Sequence, residues 1–317
     1  MPIHMTTANV TGDGQHKKGD QVLCSWDLTA GLYDHLTFIS FLNSFLSITA
    51  FLGNTLILVA LHKESSLHPP SKFLLRSLAT TDLCVGLISG PLSVIYWTSE
   101  MNEHWSICRF VLPASMLTGS ILCSVSLLTV TAISVDRLLA LLLGLRYRQV
   151  VTVKRTYAMV ITIWIVSTVF TATGLQYWNM ITLWYWIIVI PLCLVTSIFS
   201  YTKIFFTLGH HQNQVQDQVQ QLNQTNQLNL PRYRKAVTSA LWLQVMLVAC
   251  YLPHVLVTAL WSNSGVSSSL YLAWTYSQAL VYLNSSLNPI LYCWKVEEVR
   301  QVVKNTIRPE LCYCVST

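Results

Sequence analysis

Charge is what this chain has least of. Only 10% of its 317 residues are Asp, Glu, Lys or Arg, against 53% hydrophobic ones, where soluble domains carry roughly a quarter charged residues. Most of the chain therefore does not face water. The opening residues hold no basic start followed by an apolar stretch, so no cleavable leader is expected. The nine cysteines lie mostly inside apolar stretches, which excludes a small disulfide-framed secreted domain. No Ser/His/Asp set, clustered metal ligands or glycine-rich phosphate loop is apparent, so an enzyme is not expected. The net charge of +6 is modest, and no nucleic-acid partner is expected.

What is present is a series of apolar stretches, each long enough to cross a hydrocarbon core of about 30 Å as a helix. There are seven, at about 35–61, 73–97, 110–143, 157–175, 181–208, 236–261 and 270–294. Lys and Arg cluster on alternate connections: Lys63 and Lys72, then Arg146, Arg148, Lys154 and Arg155, then Lys203, Arg232, Arg234 and Lys235, then Lys295, Arg300, Lys304 and Arg308. The positive-inside bias therefore sets the N-terminus outside and the C-terminus inside. The expected fold is an all-α membrane protein, a seven-transmembrane helix bundle with a short amphipathic eighth helix, in the plasma membrane and contacting lipid. Residues 1–34 read as a polar, disordered outer tail with a glycosylation sequon at Asn9. The bundle occupies 35–294 and includes a Gln/Asn-rich inner loop at 209–231. Residues 295–317 supply the amphipathic helix and a tail in which Cys312 and Cys314 are candidate palmitoylation sites.

Polar groups inside such spans are costly and therefore informative. Asp82 lies near the middle of span two, where a carboxylate costs ~2.5–3.5 kcal/mol on insertion scales and needs polar partners inside the bundle. Span three is uncharged from Leu112 until Asp136-Arg137 at its far end. Prolines at 191, 253 and 289 each remove a helical hydrogen bond from spans five, six and seven. Asn284, Asn288 and Tyr292 are four residues apart and share one face of span seven.

Together, Gly53-Asn54, LATTD ending at Asp82, Ser134-Val135-Asp136-Arg137, Trp164, the span-six proline and Asn288-Pro289-Ile290-Leu291-Tyr292 resemble the rhodopsin-like G-protein-coupled receptors over residues 35–310. The resemblance implies a sodium-type pocket of Asp82, Ser126, Asn284, Ser285 and Asn288. It implies a switch in which Arg137, held by Asp136 at rest, swings towards Tyr201 and Tyr292 as span six moves about Pro253 and Tyr251, with Pro289 beside it. It further implies that a heterotrimeric G protein inserts the C-terminal helix of its Gα subunit into the opened cavity, and that an extracellular ligand biases this equilibrium. Cys108 resembles the family's outer cysteine of span three, displaced by about one turn. The family's usual partner in the second outer loop is absent, and Cys24 is the candidate substitute.

Ligand class is narrowed by what does not match. Where amine receptors of the family carry an Asp, this chain has Thr118-Gly119-Ser120, and where opsins carry a retinal-binding Lys it has Tyr282. The expected pocket is Tyr96, Gly119, Cys123, His254, Trp274, Gln278 and Tyr282, with Trp97, Thr118 and Trp184 beside them: aromatic, with few polar handles and no acid. Inner span six carries Arg232, Tyr233, Arg234 and Lys235 but no acid to restrain Arg137, so noticeable basal activity is expected. Leu138 replaces the family's usual aromatic after Asp136-Arg137. The alternatives are a receptor-shaped protein without G-protein coupling, or a seven-span transporter or channel. The transporter or channel should show inverted repeats and several midplane charges, whereas only Asp82 lies there.

Overall fold

The computed structural model describes residues 23–63, 68–176, 181–222, 230–264 and 267–295. Ten α-helices form these residues: α1 (Trp26–Thr29), α2 (Tyr33–Lys63), α3 (Pro69–Cys84), α4 (Gly90–Met101), α5 (Trp105–Leu143), α6 (Tyr147–Val150), α7 (Val153–Gln176), α8 (Ile181–Leu222), α9 (Leu230–Ser264) and α10 (Ser268–Lys295). A π turn at Val85–Ser89 joins α3 to α4. Spans one to seven are thus α2, α3–α4, α5, α7, α8, α9 and α10. Spans one to five are long and apolar enough to cross a membrane, and the described part of span six adds the apolar stretch Val245–Trp261.

Their surfaces fit that solvent. Phe41, Phe110, Leu192, Val195 and Phe199 point outward and are more than 60% exposed, as expected where hydrocarbon replaces water. Hydroxyls along the spans are satisfied by their own helices: Thr55, Thr80, Thr118, Thr131 and Thr196 each donate to the carbonyl four residues earlier. Such back-bonding pairs these five hydroxyl protons without water.

Packing is set by close approaches. Asn54 donates to the carbonyls of Ala50 and Ser285, at 2.8 and 3.0 Å, tying span one to span seven. Gly86 lies so near span one that a Cβ there would meet Ser47 O at 2.6 Å and Phe51 N at 2.8 Å. The π turn has a chemical cause in Pro91, which lacks an N–H and whose ring collides with the carbonyl four residues back, so the helix widens by one residue just before it. Span three ends where Gly144 adopts φ +49°, a conformation that costs glycine little.

Three boundaries differ from the reading of the sequence. The end of the N-terminal segment is not loose: Leu23, Cys24 and Leu28 are buried against Tyr96, Trp97, Leu112 and Tyr271, because apolar side chains and a disulfide hold them. Span two continues past the expected end at 97 to Met101. Span five runs on to Leu222 through much of the stretch read as a loop; the single Gly209 does not break the helix, and the glutamines that follow it are adequate helix formers. The eighth helix, Asn9, Cys312 and Cys314 lie outside the described residues.

Candidate functional site

Three buried carboxylates, Asp82, Glu100 and Asp136, mark three levels of the bundle. Each has its own shell of donors.

The middle level is Asp82, fully buried at the end of α3. Its Oδ1 accepts Ser126 Oγ from span three at 2.9 Å and Ser285 Oγ from span seven at 2.8 Å, and its Oδ2 accepts Asn288 Nδ2 at 2.7 Å. One carboxylate therefore ties spans two, three and seven. Asn284, one turn before Asn288, is buried with its Nδ2 unpartnered. Ser126, Ser285 and Asn288, which the resemblance implies around Asp82, thus donate to it. The donor set fits a small monovalent cation: one charge, two hydroxyl oxygens, and amides able to turn their oxygens inward. Among the described residues no group of three or more His, Cys, Asp or Glu side chains is placed to hold a metal.

At the far end of span three, the expected Asp136–Arg137 contact is not what satisfies the acid. Asp136 is buried and accepts Ser71 Oγ at 2.8 Å and Tyr147 OH at 2.6 Å, while Arg137 is exposed. Adjacent helical residues diverge by about 100°, and on its own face Asp136 meets Ser71 of span two and Tyr147 of α6. Tyr201 is buried in a small cluster with Leu138 and Ile204, so Leu138 serves as packing for the span-five tyrosine. The side chains of Tyr233 and Tyr292 lie outside the described set.

At the opposite end the expected pocket residues gather, with a more polar lining than anticipated. Tyr282 OH meets Ser89 Oγ at 2.8 Å and Ser93 Oγ at 3.0 Å, and accepts Gln278 Nε2 at 3.1 Å. Ser93 in turn meets Ser115 at 3.0 Å. Gly119 lies close against this hub, where a Cβ would meet Tyr282 OH at 3.1 Å and Ser89 Oγ at 3.2 Å. His254 Nδ1 pairs with Ser277 Oγ at 3.0 Å, and its ring lies 6.5 Å from that of Trp274. Tyr251 is buried and donates to the Cys123 carbonyl at 3.4 Å, joining span six to span three beside Pro253. Tyr96 does not line this hub. It donates to Glu100 Oε1 at 2.8 Å and meets Tyr271 OH at 3.0 Å, and Tyr271 also donates to Glu100 Oε2. Beside it, a Cys24–Cys108 disulfide with a Cα–Cα distance of 6.0 Å pins the N-terminal segment to span three.

The acid not found from sequence at this end is Glu100, which is 2% exposed and sits beside the hub with Tyr96 and Tyr271. Ser71, Ser89, Ser93, Ser115, Tyr147 and Tyr271 were likewise not singled out from sequence. A period-3.6 reading of span two, carried past Trp97, would have put Tyr96 and Glu100 on one face.

A seven-span bundle with an acid-centred polar node tying spans two, three and seven defines the class. The chain matches the family described as 7 transmembrane receptor (rhodopsin family) over residues 53–180 and 171–292, and it belongs to that family. Its relatives include the adenosine receptor A2b of Gallus gallus, 24% identical over 312 residues that cover 84% of this chain and 87% of that receptor. Melanocortin receptor 5 of Mus musculus is 24% identical over 275 residues, covering 83% of this chain and 82% of the receptor. A 5-hydroxytryptamine receptor of Lymnaea stagnalis is 30% identical over 142 residues, covering 45% of this chain and 27% of its own length. The protein is a multi-pass membrane receptor of the rhodopsin family.

Proposed function

We propose that this receptor lies in the plasma membrane with its N-terminus outside and passes the binding of an extracellular small ligand to a heterotrimeric G protein by outward movement of span six. The Asp82 node carries the reading. It binds Ser126, and span three runs only eleven residues further to Arg137, about 16 Å along one rod. Rearrangement at the node therefore reaches the Arg137 end through a single rigid element. The lysine and arginine pattern supports the orientation, as does the Cys24–Cys108 pair, since disulfides persist on the oxidising side of a membrane.

A sodium ion bound at the node would supply a charge that offsets the buried carboxylate. Asp82 would hold it, Ser126 and Ser285 would offer oxygens, and Asn284 and Asn288 would supply amide oxygens. At the inner end, Ser71 and Tyr147 already occupy Asp136, which leaves Arg137 unrestrained and supports a receptor with basal activity. The Gα C-terminal helix docks against the cavity between spans three, five and six.

The ligand meets a hydroxyl hub (Ser89, Ser93, Tyr282), the His254–Ser277 pair and the Trp274 ring. With Gly119 in place of an acid, an ammonium held from span three is not the expected chemistry. Relatives named for adenosine, melanocortin and 5-hydroxytryptamine differ in ligand chemistry, so a hydrogen-bonding small molecule with a stacking ring is the reading the pocket favours. Expression of the wild type and Arg137→Ala in cells carrying reporters for each Gα class tests it. A basal signal in one class that Arg137→Ala abolishes at equal surface level is expected; equal signals in both contradict the reading.

A further inference from the structure

Glu100 is the acid that the switch and the cation node do not use. It lies at the outer end of span two, beneath the disulfide-pinned N-terminal segment, and is 2% exposed. A buried carboxylate persists only if its oxygens are satisfied. Here both are, by phenols from two helices: Tyr96 on its own span and Tyr271 on span seven. The two phenols also meet each other at 3.0 Å, so the three groups form one closed unit.

The unit does not end there. Tyr271 stacks on Trp274 with ring centroids 6.3 Å apart at 27°. Trp274 meets Trp261 of span six edge-on at 5.7 Å, and meets His254 of the same span at 6.5 Å. A continuous path of named contacts therefore runs from Glu100 on span two, through span seven, to two residues of span six.

We infer that Glu100 is a positioning residue of the ligand pocket: it locks Tyr271, and through Tyr271 sets the Trp274 ring against Trp261 and His254, so that the outer end of span six is held by a carboxylate on span two. The inference rests on the proposed function only in taking span six as the element that moves. Removing the carboxylate takes the shared acceptor from both phenols at once and leaves them only each other. Trp274 then loses its fixed stacking partner and the outer end of span six samples more than one position. A ligand that displaces Trp274 loosens the same link, which makes the path a route from pocket occupancy to helix position.

The test measures that position directly, without ligand or G protein. Distance labels are placed through unnatural amino acids at Ile95 on span two and Leu260 on span six, both outward-facing, in the full-length receptor in lipid discs. One narrow distance population is expected for the parent and a second population for Glu100→Ala and for Tyr271→Phe. Because both act through one path, the double variant should match the singles. Glu100→Gln keeps the shape and one acceptor oxygen and falls between, which also serves as the folded control. A purely local structural role would lower thermal stability while leaving the distance distribution unchanged. That outcome, or effects that simply add in the double variant, overturns the inference. Loss of Gα signalling in the Arg137 experiment is a separate outcome and bears only on the proposed function.

Discussion

Replacing Asp82 by Asn separates the two tasks assigned to the central carboxylate, scaffolding three helices and holding a cation. Ser126 and Ser285 both donate to Oδ1, and the Asn side chain keeps an oxygen there. Its new Nδ2 would face the Asn288 Nδ2 that now donates to Oδ2 at 2.7 Å. Turning the Asn288 amide over restores a donor–acceptor pair, so the number of hydrogen bonds is conserved. Three charge-assisted bonds become neutral ones, a loss of ~1 kcal/mol each, set against relief of a buried charge worth ~2.5–3.5 kcal/mol. The variant should therefore match the parent in sodium-free stability within about 1 kcal/mol. What it loses is the ion: sodium at ten times its Kd stabilises the parent by RT ln 11, about 1.4 kcal/mol. Thermal unfolding of the detergent-purified receptor, followed by a thiol dye reaching buried Cys123, Cys193 and Cys250, reads both quantities. Sodium chloride is titrated against N-methylglucamine chloride at constant ionic strength. A sodium-dependent rise in Tm in the parent and none in Asp82→Asn is expected. Equal shifts in both, or no shift in the parent, refute the cation site. Asp82→Ala is the contrast, since it strands three donors at ~1–3 kcal/mol each, and it should fail to reach the cell surface.

Cys24→Ser, Cys108→Ser and the double variant should each lose ~2–5 kcal/mol of stability, with the double no worse than either single, because one bond across 84 residues is removed in all three; two free thiols by intact mass in the parent would contradict this. Tyr147→Phe removes one of the two hydroxyls on Asp136, a charge-assisted bond worth ~1.5–3 kcal/mol, and releases the acid to draw in Arg137. Basal signalling should fall several-fold per surface receptor, and an unchanged level would argue against the assigned restraint. Gly86→Ala drives a methyl into the Ser47 carbonyl and should cost ~1–3 kcal/mol, seen as a lower Tm with pocket and switch variants otherwise unaffected; a neutral result would mean that spans one and two are further apart than described.

The bundle was legible in the sequence because hydrocarbon imposes a length and a composition that few other structures need. Asp82 was legible too, as a carboxylate near the middle of a span that needs polar partners, whereas its partners Ser126, Ser285 and Asn288 were named only through the resemblance to the receptor family. Glu100 was not. It follows Trp97 in the polar string Thr98-Ser99-Glu100-Met101-Asn102-Glu103, which reads as a loop, and the phenol that satisfies it, Tyr271, is 171 residues away. Tyr147 escaped for the same reason: it lies beyond the end of span three, and only the turn at Gly144 brings it back to Asp136. The N-terminal segment looked loose because its composition is polar on average, yet Leu23, Cys24 and Leu28 suffice to dock it. Composition reported the solvent of each segment; it did not report which distant side chain would close each polar shell.

Nucleotide exchange with purified components tests the central claim most directly. Full-length receptor in lipid discs is mixed with each Gα class as a heterotrimer, and GDP release is followed without added ligand. The account predicts release above the receptor-free rate for at least one Gα, raised no further by Asp136→Asn than the already unrestrained Arg137 allows, and returned to the receptor-free rate by Arg137→Ala. Release at the receptor-free rate for every Gα, or a rate that Arg137→Ala leaves intact, would contradict it.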